Sequence, residues 1–304
     1  MITGSCCLTC LHCDHAKGSS KAAQWEYDDA VKLLRQAREC DIEAVTLTGG
    51  EPLMHPGFCD IAEAVISQGM VIDRIETNGF FVTEELLDRI EGTGHKPTIV
   101  IPHDGILRHD WLRDRKGAEG KALMAARLCV QNGFDVAAQV QVHGRNRYTL
   151  MSSAKLLSRT GVSRIIYDRT RNSVRFRQNP ACIALSAGEF TEDMLDYVKE
   201  YIHQDILTDI RVSGLIDVYP KEKRYRLGAD ENACVIVDPF GEVYLCSDMG
   251  EYFEGHLSSL GNVHSSPLGM LLQAGKANAP DKAGEPDEAV VKRAEEILEG
   301  YTAI

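Results

Sequence analysis

Short β-branched runs alternate with stretches of helical periodicity through residues 2–170, and that alternation restricts the fold more than any other feature of the chain. Tyr27, Ala30, Val31, Leu34 and Ala37 recur at the spacing of one helical face, the apolar stripe of an amphipathic helix. Residues 44–48 form a β-branched run that stops at Gly49 and Gly50. The pattern then predicts a helix over 58–68, a strand over 71–76, a helix over 84–91 and a strand over 98–101. It continues with a helix over 117–131, a strand over 136–142, a helix over 150–158 and a strand over 162–167. With Ile2 and Thr3 as a remnant first strand, the series makes six βα steps. Strands separated by helices at this spacing are parallel and joined by crossovers, which points to an open sheet or a partial barrel.

After about Arg171 the pattern changes. A polar segment containing Pro180 precedes a helix expected over 191–201. Residues 233–238 and 242–246 read as two strands around a turn made by Pro239, Phe240 and Gly241. Residues 274–287 are rich in Gly, Pro, Lys and Asp and read as a loop, and a last helix is expected over 289–298. We place a boundary near residue 180, giving units of 1–180 and 181–304. No internal repeat is present. The 304 residues suffice for one large domain or two ordinary ones, and 44% hydrophobic with 26% charged residues excludes a disordered or fibrous chain. The net charge of −12 argues against nucleic acid as a partner. Charges interrupt every apolar run, so no membrane span is expected, and no basic-then-apolar segment marks a secretory signal. The expected compartment is the cytoplasm, where thiols stay reduced and clustered cysteines bind metal or do chemistry.

The chain has ten cysteines, and Cys6, Cys7, Cys10 and Cys13 fall within its first thirteen residues. Cys6, Cys10 and Cys13 form a C-x3-C-x2-C loop directly after the first strand, and three thiolates on one short loop suit a soft metal centre. Zinc is one reading, with His12 or His15 as a fourth ligand. A ferredoxin run has C-x2-C-x2-C spacing and a fourth cysteine, and haem attachment needs a His where Asp14 stands.

The loop resembles the signature of the radical SAM superfamily. That resemblance implies an α/β fold, a partial (βα)6 TIM-like barrel with a smaller α+β C-terminal domain. It also implies a 4Fe-4S cluster held by Cys6, Cys10 and Cys13, with one iron left open for S-adenosylmethionine. The family's usual aromatic residue before the last cysteine is His12 here, and Cys7 has no family role. Thr48, Gly49, Gly50, Glu51 and Pro52 match the family's Gly-Gly-Glu-Pro stretch, which holds the methionyl ammonium. Glu76, Thr77, Asn78 and Gly79 resemble its Thr-Asn-Gly segment near the ribose. Pro102, His103, Asp104 and Gly105 stand where relatives read Ser-Leu-Asp-Gly; Asp104 is kept and the serine is not. All these segments follow expected strands, on the face where barrels gather their active sites. Arg113 is a candidate partner for the methionyl carboxylate, or a surface arginine at a helix entry.

Cys234, Gly241 and Cys246, followed by residues 260–263, look like a shortened SPASM or twitch domain, which in relatives binds auxiliary iron–sulfur clusters. No cysteine follows Cys246, and Cys182 is a candidate third ligand. An auxiliary cluster and a degenerate scaffold both remain open. Cys40, Cys59 and Cys129 read as core residues. Residues 175–177 through 213–215 resemble enzymes that modify ribosomally made peptides, and the acidic chain suits a basic or neutral peptide. No leader-binding unit precedes Cys6 in this sequence, which weighs against that substrate. The resemblance implies reductive cleavage of S-adenosylmethionine to a 5′-deoxyadenosyl radical that takes a substrate hydrogen. An electron donor such as flavodoxin or ferredoxin would supply the reductant. Cys182, Cys234 and Cys246 are candidate hydrogen donors or auxiliary ligands, and Asp104 joins them as a candidate catalytic residue. The substrate is a precursor peptide or, alternatively, a small metabolite; a non-catalytic zinc or iron–sulfur remnant is the third reading.

Overall fold

Residues 1–13, 23–170, 173–179, 181–228, 234–246, 257–276 and 287–303 are described by a computed structural model of the chain. His15, Pro180, Ala233 and most of the loop expected at 274–287 lie outside the described residues.

The alternation seen in the sequence becomes a parallel sheet. Strands β1 (Ala44–Leu47), β2 (Val71–Glu76), β3 (Thr98–Pro102), β4 (Val136–Val142) and β5 (Arg164–Arg169) pair in that order, all parallel. Helix α1 (Tyr27–Glu39) precedes β1, and α2 (Phe58–Ser67), α3 (Glu84–Glu91), α4 (His109–Arg113), α5 (Ala118–Gln131) and α6 (Leu150–Thr160) lie between the strands. The remnant first strand is shorter than a strand: Thr3 bridges Gly49 in parallel and Gln24 in antiparallel fashion.

The sheet continues across residue 180. After α7 (Val174–Gln178) and α8 (Ala187–Tyr201), β6 (Asp209–Val212) adds to β5 in parallel. Strands β7 (Ile216–Tyr219) and β8 (Arg224–Leu227) then turn back antiparallel, and β12 (Thr302–Ala303) closes the row. The nine-stranded sheet keeps β1 and β12 as separate edges, so it is open among the described residues. Helix α8 starts earlier than the periodicity suggests because Ser186 and Glu189 form a capping box. Strands β9 (Cys234–Val237), β10 (Glu242–Cys246) and β11 (Gly261–Asn262) form a separate three-stranded sheet, flanked by α9 (Leu268–Lys276); α10 (Glu288–Ile297) packs near α8.

The core lies between the sheet and its helices. Ile61 and Val65 of α2, Ile72 and Ile75 of β2, and Ala125 and Cys129 of α5 are all buried there. The alternate residues of the central strands face the other way, and on that inner face polar side chains replace the aliphatic ones. Gln139 and Gln141 of β4 both donate to Asp168 of β5, and Ser213 donates to the other oxygen of Asp168 at 2.5 Å. Farther along, Arg211 and Arg226 converge on Asp217.

Candidate active site

The site is built where the cysteine loop lies on the ends of the parallel strands. The N–H of Ile2 donates to the carbonyl of Thr48, that of Gly50 to Thr3 and that of Glu51 to Ser5 (2.8, 2.7 and 2.7 Å). This lattice is too close for side chains. A Cβ on Gly49 would lie 2.3 Å from the Thr3 carbonyl oxygen, and one on Gly50 would lie 2.3 Å from that of Ser5. The two glycines are thus required by the chain leading into Cys6. Gly79, at φ +84°, has a second constraint: a Cβ there would lie 2.9 Å from Cβ of Ala125 on α5.

Glu51 is fully buried and ties two of the motif segments together. Its carboxylate accepts the Thr77 hydroxyl and the Asn78 N–H, both at 2.7 Å, and the Leu53 N–H at 3.1 Å. Burial pushes its carboxyl up to about 7, against the pull of those donors. Pro52 opens a short 3-10 helix, Pro52–Met54, capped by Glu51 itself. Asn78 then reaches the cysteines: its amide nitrogen lies 3.4 Å from Sγ of Cys7 and 3.8 Å from Sγ of Cys6. A hydrogen bond with Cys7, and next burial, push the Cys6 thiol up.

Asp104 and Arg113 form the opposite wall. The guanidinium forks onto the buried carboxylate through Nε at 2.7 Å and Nη2 at 3.1 Å. The Gln141 N–H donates to the same carboxylate at 3.0 Å, and Nδ1 of His109 lies 3.0 Å from it while accepting the Asp104 N–H at 3.1 Å. Burial opposes the charge of Asp104, but Arg113 and His109 hold its carboxyl well below the usual range. The remaining Nη1 of Arg113 lies 3.9 Å from Sγ of Cys10. The loop is also pinned by its backbone: Leu11 donates to the carbonyl of Leu112, Ser173 to that of Leu11, Arg175 to that of Thr9 and Arg115 to that of Cys7.

Burial raises the Cys10 thiol to about 11, with Cys13 and Cys6 both near enough to act on it in the same direction. Among the described residues, no three His, Cys, Asp or Glu side chains sit close enough to hold a single metal ion. The donor set fits a larger thiolate-bound centre: three soft sulfurs on one loop, backed by an amide and a guanidinium. Beside it, Gln141 Oε1, His143 Nε2 and Thr170 Oγ1 are buried without a hydrogen-bond partner at the ends of β4 and β5. Such orphaned atoms suit a polar ligand.

Of the second-half cysteines, the structure brings two together and sets one apart. Cys234 and Cys246 face each other across β9 and β10, with Sγ atoms 2.9 Å apart. Cys182 instead packs with Leu11, Leu112, Phe176 and Trp111, beside the cysteine loop. The segment carrying it crosses the end of β4, where Gly144 donates to Ile183 at 2.8 Å. Gln141, His143 and Arg211 carry a sequence signal as polar residues at every second position of otherwise aliphatic strands; Asp168, two residues after Ile166, carries none.

Residues 1–157 match the radical SAM superfamily. The chain belongs to that superfamily. Its sequence is 23% identical over 267 residues to the antilisterial bacteriocin subtilosin biosynthesis protein AlbA of Bacillus subtilis, covering 86% of this chain and 56% of that protein. It is 25% identical over 169 residues to the PqqA peptide cyclase of Gluconobacter oxydans, covering 54% of this chain and 46% of that one. The chain thus spans about half the length of these relatives. Among solved structures it resembles Streptococcus suis SuiB bound to its precursor peptide SuiA, at a TM-score of 0.68 and 13% identity, over 88% of this chain and 62% of that one. That likeness supports the partial-barrel α/β architecture expected from the sequence. Among the described residues, no helix is long and apolar enough to cross a membrane.

Proposed function

We propose that this chain is a radical SAM enzyme acting on a ribosomally made peptide, with Cys6, Cys10 and Cys13 as the ligands of a 4Fe-4S cluster. When bound, that cluster and S-adenosylmethionine supply one-electron cleavage of the sulfonium and hydrogen abstraction from a substrate carbon. The observation that carries the reading is the convergence of the segments after β1, β2 and β3 on one loop: Gly50 and Glu51 grip its entry, Asn78 touches Cys6, and Arg113 touches Cys10.

The chain's own residues have separable roles. Gly49, Gly50 and Pro52 shape the ledge that receives the methionyl end of the cofactor. Glu51 sets the orientation of Thr77 and Asn78, whose segment faces the ribose. Gln141, His143 and Thr170 offer the unpartnered polar atoms from which the nucleoside and the substrate are oriented. Asp104 acts through Arg113, because its carboxylate is committed to the guanidinium and the Gln141 N–H. Trp111, Phe176 and Leu11 cover the loop with apolar surface and exclude water. Cys182, in that same layer, is the cysteine best placed to return a hydrogen to a substrate radical. The Cys234–Cys246 pair is the corresponding candidate for an auxiliary centre of SPASM or twitch type, in a unit following residue 180.

The peptide substrate is supported by the relatives, one named for biosynthesis of a bacteriocin, one for cyclising a peptide and one solved with a precursor peptide. Anaerobic incubation of the reconstituted chain with S-adenosylmethionine and a low-potential reductant tests the reading. It predicts 5′-deoxyadenosine, and none from the C6A/C10A/C13A chain. Equal 5′-deoxyadenosine from both proteins would sink it.

A further inference from the structure

Arg113 occupies an unusual position for a buried cation. Two of its nitrogens are committed to Asp104, and the third is aimed at a cysteine sulfur from 103 residues away in the sequence. Both the arginine and Cys10 are buried, so bulk water screens their interaction little. The geometry also fixes the arginine rather than leaving it free to swing. Asp104 is held by the Gln141 N–H and by His109, and Asn146 clamps the carbonyls of Asp104 and Gln141 at 2.8 Å each. The helix that carries Arg113 is bonded to the cysteine loop through Leu112 and Leu11. Sequence position, backbone and side chain therefore all hold one guanidinium N–H against one sulfur.

We infer that Arg113, fixed by Asp104, is a positioning residue that sets the reduction potential of the cluster through Cys10, instead of binding the methionyl carboxylate. The inference rests on the proposal that Cys6, Cys10 and Cys13 hold that cluster. Two physical effects act in the same direction. A cation beside a thiolate ligand favours the reduced cluster, which carries one more negative charge after accepting one electron from an external donor. An N–H aimed at the sulfur draws charge from it, and hydrogen bonds to cluster sulfurs and local net charge are among the determinants of cluster potential. Asp104 works oppositely in sign, because its negative charge offsets part of the arginine's effect.

That opposition provides the test. The cluster of the reconstituted, S-adenosylmethionine-free chain is titrated potentiometrically with electron paramagnetic resonance as the readout. The wild-type iron count comes first, since a chain that takes up no iron overturns the underlying cluster proposal and this inference with it. Given a cluster, R113Q lowers the midpoint by at least the equivalent of a tenfold change in the reduction equilibrium, about 59 mV for a one-electron couple. D104N raises it, because the arginine loses its counter-charge. If R113Q does not fold, D104N/R113Q leaves no buried charge unpaired, and its midpoint falls below that of D104N. Loss of packing or entry of water would move R113Q and D104N the same way. Shifts of the same sign in those two variants, or midpoints unchanged in both, overturn the inference while leaving the cluster proposal standing.

Discussion

Replacing Gly50 with alanine tests whether the Gly-Gly-Glu-Pro segment is fitted to the cysteine loop. The new Cβ would stand 2.3 Å from the Ser5 carbonyl oxygen and 2.7 Å from that of Gly4, where an ordinary contact needs at least 3.4 Å. One backbone must therefore retreat by about 1 Å, and both are held by hydrogen bonds of 2.7 Å. Overpacking of this kind costs about 1–3 kcal/mol. Weakening the bonds from Gly50 to Thr3 and from Glu51 to Ser5 adds about 1 kcal/mol each. The sum, about 3–5 kcal/mol, is a large part of the stability of an ordinary domain. Gly120 is the control: it lies within α5 with nothing within 4 Å of an added Cβ, so G120A gains about 0.5–1 kcal/mol from helix propensity. Urea unfolding of the metal-free chain, followed by circular dichroism, reads both. The reasoning fails if G50A keeps the wild-type midpoint at an unchanged slope, or if G120A loses as much as G50A.

Three further outcomes follow, two from buried carboxylates and one from a helix cap. The Glu51 carboxyl is raised from 4.5 to about 7, so its contribution to stability is complete below pH 4.5 and is lost as pH rises through 7. That gap corresponds to about 3 kcal/mol; unfolding at pH 4.5 and above pH 7 should show this slope in the wild type relative to E51Q, and parallel profiles would contradict it. D104A leaves the Arg113 guanidinium buried and unpaired and should destabilise by about 3–5 kcal/mol, whereas D104A/R113M recovers much of the loss. A double variant as unstable as D104A in thermal melts would refute that account. S186A removes the capping box of α8 and should cost about 1 kcal/mol, or a few degrees of melting temperature; an unchanged melt would count against the cap.

The parallel half of the fold was legible because each strand and helix there is long enough to display its own period. Strands β6, β7 and β8 show no legible period, since four residues such as Asp209–Val212 give only two alternations before a turn intervenes. The start of helix α8 is not legible from periodicity because Gly188 in its first turn hides the Ser186 and Glu189 pair that begins it. Within the site, the cysteine loop and the motif segments stood out by spacing and residue type. Their mutual contacts did not. Gly50 looks like a residue that admits a ligand, yet the atoms nearest it belong to Gly4 and Ser5. Arg113 looks like a partner for a cofactor carboxylate, yet Asp104 already fills that role nine residues upstream. Pairings such as Arg113 with Cys10 or Ser173 with Leu11 join points remote in sequence, and only the folded chain decides them.

The most direct measurement of the central claim is the iron content of the anaerobically reconstituted chain and of three variants. The account predicts that C6A/C10A/C13A loses about four irons relative to the wild type, the content of one 4Fe-4S cluster. It predicts that C7A loses none, and that C234A/C246A keeps the cluster at the N-terminal loop. Wild-type iron in the triple variant, or a wild-type chain that binds zinc in place of iron, would contradict it.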